Sequence, residues 1–289
     1  MAKSIGIIVA PNGATKSQTV HAALPITPLE IADTVEACLH QGAAMVHLHS
    51  RDSQGKHSLE IEDNLKIYHT VKERVGDKIL VQLTTEAVGQ YSPKQQMSLI
   101  KAIKPEAASF AIKELIPDSR SHDSARAFFH WVDEHSIIPQ YIVYSPTDLK
   151  RYLDLIENQI LPKQNHHVLL VLGRYNKQLQ SSPTDLLPFV PYLQELTCRW
   201  AVCAFGSQEL QCLTTAALLG GDVRIGFENN HLDTFEQPAI SNEHQVKKLK
   251  ELITQLNIGT YDAQAYRQKI IQCSTMQSVT QLTENKEIP

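Results

Sequence analysis

An alternation of short apolar segments with longer amphipathic ones constrains the fold of this chain most strongly. Segments typical of buried strands lie at residues 5–10, 44–49, 79–84, 107–112, 138–144, 167–172, 198–203 and 223–226. Helical periodicity follows each of them, at residues 28–41, 59–75, 93–104, 121–135, 147–160, 184–193, 207–219 and 243–256. Eight strand–helix units predict an α/β protein with a (β/α)8 TIM barrel, and a doubly wound open sheet is the alternative.

The chain shows no break in composition that would separate two domains. We therefore expect one catalytic barrel domain over residues 1–273, with a short C-terminal helical extension at residues 262–273. Residues 274–289 are polar and are expected to form a C-terminal tail.

Charge and composition exclude several classes of protein. The formal net charge is −4, so no strong basic field exists for binding nucleic acid. No apolar segment approaches the roughly 20 residues that span a bilayer, and the first one lacks the features of a secretory signal. The five cysteines are scattered, without a CxxC pair, which is typical of a reducing compartment. We expect a cytoplasmic protein that acts on small molecules.

The segment with the clearest chemistry is VHLHSRD at residues 46–52, where the second predicted strand ends. His47 and His49 are two residues apart, so on a strand they project from the same face. Two imidazoles on one face can hold a divalent metal, and active sites of barrels lie at the carboxyl ends of the strands. A metal site is favoured over two polar fillers of the barrel interior.

A third ligand should come from another strand end. Glu228 lies just past the eighth strand, which neighbours the first two in a closed barrel. His231 is a less favoured substitute for it. Two histidines and a carboxylate leave positions open for substrate, and both zinc and non-haem iron use such sets.

Four stretches together resemble the β-keto acid cleavage enzymes. They are LPITPLE at residues 24–30, GAAMVHLHSRD at 42–52, WAVCAFG at 200–206 and GGDVRIGFENN at 220–230. The resemblance implies a zinc-binding barrel, usually a homotetramer. It also implies a reaction in which a β-keto acid and acetyl-CoA yield acetoacetate and a new acyl-CoA.

The resemblance also implies roles for individual residues. His47, His49 and Glu228 match the zinc ligands, and Arg224 matches the catalytic arginine. Thr84 falls where the family places a serine or threonine near the substrate. We expect Ser109 to contact substrate as well. Zinc, one ion per chain, and acetyl-CoA are the cofactor and co-substrate that follow.

The chain departs from the family at three positions. Asn229 stands where the family commonly has an aspartate, and an amide cannot accept a proton. After the third strand, Glu86 replaces two glycines; it could be a replacement base, contact a cationic group, or turn outward. Thr15 aligns with a glutamate of the best-described enzyme, and we expect it near the substrate.

These departures keep two alternatives open. One is a metal-dependent lyase or hydrolase that does not use CoA. The other is a metal-binding barrel that has lost catalysis. Asn229 and Glu86 favour these alternatives, whereas Arg224 and the predicted ligands favour retained activity.

Overall fold

The structure is a computed structural model that describes residues 3–176, 178–193 and 196–272. The predicted tail at residues 274–289 and the predicted end of the domain at residue 273 lie outside these ranges. In the described ranges the strands are β1 (Ser4–Ile5), β2 (Ile7–Val9), β3 (Met45–Leu48), β4 (Leu80–Leu83), β5 (Ala107–Ala111), β6 (Ile138–Val143), β7 (His167–Leu172), β8 (Arg199–Ala204), β9 (Asp222–Ile225) and β10 (Gly259–Thr260).

Helices follow the strands in turn. They are α1 (Pro28–His40), α2 (Ile61–Val75), α3 (Pro93–Ile103), α4 (Ile112–Leu115), α5 (His122–Glu134), α6 (Pro146–Glu157), α7 (Val190–Leu193), α8 (Glu209–Leu219), α9 (Asn242–Gln255) and α10 (Ala263–Gln272). Two 3₁₀ helices lie at Ser119–Ser121 and Pro183–Phe189. Within the described chain, no helix combines the length and apolarity needed to cross a membrane.

Strands β2 to β9 form a closed parallel barrel in sequence order, and β9 pairs with β2 to complete it. The predicted (β/α)8 barrel is therefore confirmed, and the open-sheet alternative is wrong. The first predicted strand is interrupted at Gly6, because β1 pairs with β10 in a separate two-stranded sheet.

Local sequence signals account for several helix starts. At the start of α1, Thr27 Oγ1 accepts a hydrogen bond from the Glu30 backbone N–H. The Glu30 carboxylate accepts one in return from the Thr27 N–H, which completes a capping box. The helix predicted at residues 184–193 is instead a 3₁₀ helix that ends in the short α7. Pro188 lies inside this segment and has no N–H to donate, so a regular α-helix cannot form there.

The predicted C-terminal extension is α10, which packs against one end of the barrel interior. Tyr266 is fully buried there, and its hydroxyl donates to Asp222 Oδ2 at the start of β9. Gly6 makes room for its ring, because a Cβ at this position would lie 2.3 Å from a ring carbon. These contacts involve the amino-terminal ends of the strands, so the opposite end is left for the site.

Candidate active site

The carboxyl ends of β3 and β9 bring three predicted ligand residues together. His47 Nε2 and His49 Nε2 lie 3.1 Å apart. Glu228 Oε2 lies 3.5 Å from His47 Nε2 and 3.3 Å from His49 Nε2. Ligand atoms at about 2.0–2.1 Å from a tetrahedral zinc ion are roughly 3.3–3.4 Å from one another. The triangle of atoms therefore has the size that a metal of this kind requires.

The polar surroundings of the triangle also fit a cation. Glu228 Oε2 is buried and accepts no hydrogen bond in the described chain. His47 Nδ1–H donates to Gln82 Oε1 at 2.7 Å, which leaves the Nε2 lone pair directed at the cluster. Burial lowers the pKa of His47 to about 3, so the imidazole is neutral, as a metal ligand must be. We call His47, His49 and Glu228 the HHE cluster.

Arg224 connects the HHE cluster to the cavity beside it. Its Nη2 donates to Glu228 Oε1 at 3.0 Å. Burial alone would raise the pKa of Glu228, but the Arg224 guanidinium, His49 and His47 together outweigh it and hold that pKa well below the usual range. Glu228 is therefore a carboxylate at neutral pH.

Several buried polar atoms near the HHE cluster have no partner. Arg224 Nε and Nη1, both side-chain polar atoms of Asn229, and Ser109 Oγ are buried without a hydrogen bond in the described chain. All three residues line the same cavity. Because unpaired buried polar groups are costly, this concentration indicates that the cavity receives a polar ligand.

The remaining predicted site residues line this cavity as well. Thr84 Oγ1 accepts the backbone N–H of Glu86 at 3.0 Å, which holds the turn after β4. Thr15 is exposed at the cavity, in the loop after β2. His231 lines the cavity but is not part of the HHE cluster, so its predicted substitution for Glu228 is not supported.

Glu86 turns into the cavity rather than outward. Its Oε1 pairs with Arg174 Nη2 at 3.3 Å, and its Oε2 lies 3.8 Å from His49 Nδ1. Of the alternatives, the outward orientation is wrong. The cationic group that it contacts is Arg174 of this chain, in the loop after β7.

Sequence reasoning missed Lys16, which also lines the cavity. Its Nζ donates to the backbone oxygens of Phe227 at 2.7 Å and Glu228 at 3.0 Å. Burial lowers its pKa to about 8, which still leaves the amine largely protonated at pH 7. A lone lysine in an irregular loop carries no periodicity or motif, so only the tertiary structure places it here.

The loop after β2 is shaped to fit against Glu228. Gly13 has a φ of +66°, and a Cβ there would lie 2.6 Å from Glu228 Cγ. Arg51 fixes the same loop, since its Nε donates to the Gly13 carbonyl and its Nη2 to the Lys16 carbonyl. A glycine is therefore required where the loop meets Glu228.

Fold and cavity define the class of protein: a (β/α)8-barrel enzyme with its active site at the carboxyl ends of the strands. The family model described as "beta-keto acid cleavage enzyme" matches residues 4–271. The chain belongs to this family of β-keto acid cleavage enzymes.

Curated relatives agree with this assignment. The chain is 25% identical to the 3-keto-5-aminohexanoate cleavage enzyme of Fusobacterium nucleatum, over 89% of this chain and 93% of the relative. It is 24% identical to the 3-oxoadipate:acetyl-CoA acetyltransferase of Cupriavidus necator, over 78% and 79%. It is 27% identical to the 3,5-dioxohexanoate:acetyl-CoA acetone transferase of Paraburkholderia graminis, over 89% and 92%.

The fold resembles that of ObcA, solved as a ternary complex with a C4-CoA adduct and oxalate. The TM-score is 0.70 at 18% identity, over 86% of this chain and 67% of ObcA. At this identity the likeness bears on the fold alone, and it agrees with the barrel described above.

Proposed function

We propose that the protein is a zinc-dependent β-keto acid cleavage enzyme that uses acetyl-CoA. A β-keto acid, R–CO–CH2–COO⁻, and acetyl-CoA would be converted to acetoacetate and R–CO–CoA. The observation that carries the proposal is the HHE cluster, set beside the unpartnered donors of Arg224 in one cavity. The curated relatives whose names include acetyl-CoA support its role as co-substrate.

His47, His49 and Glu228 would hold the metal. When bound, a zinc ion supplies Lewis acidity, which polarises a keto oxygen and orients the adjacent carboxylate. The hydrogen bond from His47 Nδ1–H to Gln82 Oε1 fixes the imidazole in the tautomer whose Nε2 is free to bind the metal.

Arg224 is the residue that would bind the anionic part of the substrate. Nη2 is anchored on Glu228, whereas Nε and Nη1 are buried donors without partners in the described chain. Each of these two nitrogens can donate to a carboxylate or a developing oxyanion. Such preorganised donors stabilise charge that builds up at the reacting oxygen.

Removal of a proton from C2 of the keto acid requires a base. Asn229 cannot accept a proton, although it occupies the position next to Glu228. Outside the HHE cluster, Glu86 is the carboxylate among the described residues that line the cavity. We assign the role of this base to Glu86, which would accept the proton from C2. Glu86 lies beside His49 and is oriented by its ion pair with Arg174.

Bond changes then balance without another reagent. The C2 carbanion attacks the acetyl carbonyl, and the CoA thiolate leaves. The thiolate attacks the original keto carbon, and the bond between that carbon and C2 breaks. The carbanion that remains is acetoacetate's C2, which regains the proton from Glu86. Arg224 holds the carboxylate throughout, so the two halves stay aligned.

Replacing Glu86 by glutamine tests this assignment. We expect exchange of the C2 protons of a β-keto acid in D2O, measured by NMR without acetyl-CoA, to slow about a hundredfold, the lower range for a lost general base. Zinc content should stay unchanged. The matched variant Glu62→Gln, which removes an exposed carboxylate of α2 outside the cavity lining, should exchange at the wild-type rate. Wild-type exchange in Glu86→Gln would contradict the assignment.

A panel of β-keto acids with acetyl-CoA tests the function as a whole. Mass spectrometry of the zinc-loaded protein's products should show a new acyl-CoA and acetoacetate in equal amounts. Asn229 favours the two alternatives, a lyase or hydrolase that does not use CoA and a barrel that has lost catalysis. The panel separates these two from each other and from the proposed function. Keto acid consumed without a new acyl-CoA would support a lyase or hydrolase, and no consumption by zinc-loaded protein would indicate lost catalysis.

We also propose that the enzyme is a cytoplasmic homotetramer, as the family resemblance implies. The small-molecule partners are the β-keto acid and acetyl-CoA. Size-exclusion chromatography with light scattering should give four times the 32.4 kDa chain mass. A monomeric mass at micromolar concentration would contradict this state.

A further inference from the structure

The charged side chains that line the cavity are not balanced. Among the described residues of the lining, the carboxylates are Glu86 and Glu228, and the cations are Lys16, Arg174 and Arg224. Arg224 pairs with Glu228 at 3.0 Å, and Arg174 pairs with Glu86 at 3.3 Å. Within the described lining, three cations against two carboxylates leave one positive charge, and Lys16 is the cation without an ion pair.

Lys16 is held by neutral groups alone. Its Nζ donates to the carbonyl oxygens of Phe227 and Glu228 at 2.7 and 3.0 Å. Within the described ranges no carboxylate lies within 4.0 Å of this ammonium. An ammonium has three protons to donate, so one remains for a ligand in the cavity. Glu209 and Glu228 act on this charge from beyond 4.0 Å, and burial raises the pKa of Glu209 well above its usual range, which favours the uncharged form of that carboxyl.

The backbone that carries Lys16 is fixed in place. Arg51 Nη2 donates to the Lys16 carbonyl at 2.9 Å, and Arg51 Nε donates to the Gly13 carbonyl at 3.1 Å. The ammonium therefore stays beside the loop that carries Glu228, on the cavity wall next to the HHE cluster. A fixed, partly desolvated charge binds an anion more strongly than a mobile lysine at the surface does.

We propose that Lys16 binds a second carboxylate of the keto acid, so that the preferred substrates are β-keto dicarboxylates. This inference rests on the proposed function. The first carboxylate belongs to the reacting β-keto acid unit and meets Arg224, while the second extends from the acyl end. With a divalent metal the charge of the lining rises by two, which further favours a dianionic substrate.

The phosphates of CoA are the other source of anionic groups. The Lys16 ammonium donates to the backbone carbonyl of Glu228, next to the atoms that would react. The phosphates are separated from the thioester by the whole pantetheine arm. A carboxylate on the keto acid therefore fits the position of Lys16 better.

Steady-state kinetics with 3-oxoadipate and 3-oxohexanoate test the proposal, because the two acids share a chain length and differ by one carboxylate. We expect wild type to favour the dicarboxylate in kcat/KM. Lys16→Met should lower this preference by about ten- to a hundredfold, the range for one charged hydrogen bond. Lys16→Arg should retain most of it. Lys247→Met, which removes an exposed lysine of α9, should leave it unchanged.

A role of Lys16 confined to holding the Glu228 loop would give a different pattern. Both acids would then lose kcat/KM equally in Lys16→Met, and zinc content would fall. An unchanged ratio, or a wild-type preference for 3-oxohexanoate, would overturn the proposal. If Lys16→Met fails to fold, the melting temperature of zinc-loaded wild type is measured with adipate and with hexanoate. The proposal requires that adipate raises this temperature more than hexanoate does.

Two further outcomes are distinguishable. If Lys16→Met raises KM for acetyl-CoA but not for an acetyl-pantetheine thioester, Lys16 binds a CoA phosphate and the proposal is wrong. A wild type that forms acyl-CoA only from monocarboxylates also contradicts it, while the proposed function stands. If wild type forms no acyl-CoA from any keto acid, the proposed function itself is wrong.

Discussion

Replacing His47 and His49 together by alanine is expected to abolish zinc binding and lower turnover by about a thousandfold or more. Glu228 alone cannot retain the ion, because two of the three ligand atoms spaced by 3.1–3.5 Å are lost. Zinc content is measured by mass spectrometry of the dialysed protein, and turnover by formation of acyl-CoA.

The control for this double variant is His231→Ala. His231 lines the same cavity but does not belong to the HHE cluster, so its loss should leave zinc content intact. Circular dichroism should report folded barrels in both variants. Full zinc content in the double variant would show that the metal binds elsewhere in the protein.

Replacing Asn229 by aspartate is expected to raise turnover about 10²–10⁴-fold, the range for one well-placed general base. The new carboxylate would line the same cavity as Arg224, whose Nε and Nη1 are buried donors without partners in the described residues. It would then provide a base in addition to Glu86, which Arg174 holds in an ion pair.

Asn229→Ala serves as the matched control, because it removes the amide without adding a carboxylate. It should show no gain at equal zinc content. Unchanged turnover in Asn229→Asp, with normal zinc content, would show that proton removal at this position does not limit the reaction.

The barrel could be predicted because its signals are local and repeated. The barrel strands are buried on both faces along most of their length, so they appear as apolar runs, and the capping box at Thr27 marks the start of α1 directly. The helix at residues 184–193 was mispredicted, because the helical periodicity continues across Pro188 whereas the hydrogen bonding does not.

The HHE cluster could be predicted because two of its side chains share one strand end, and closure of the barrel places the eighth strand one strand away from it. The direction of Glu86 could not, since it depends on Arg174, which is distant in sequence. Lys16 could not either, because its partners are backbone carbonyls of Phe227 and Glu228, which are distant in sequence. Contacts of this kind leave no pattern in the sequence.

The measurement that tests the account most directly follows a ¹³C label from the acetyl group of acetyl-CoA, with zinc-loaded enzyme and an unlabelled β-keto acid. The account predicts the label in the keto and methyl carbons of acetoacetate, and a new acyl-CoA without label. A labelled acyl-CoA, or keto acid consumed while the label stays in acetyl-CoA, would contradict it.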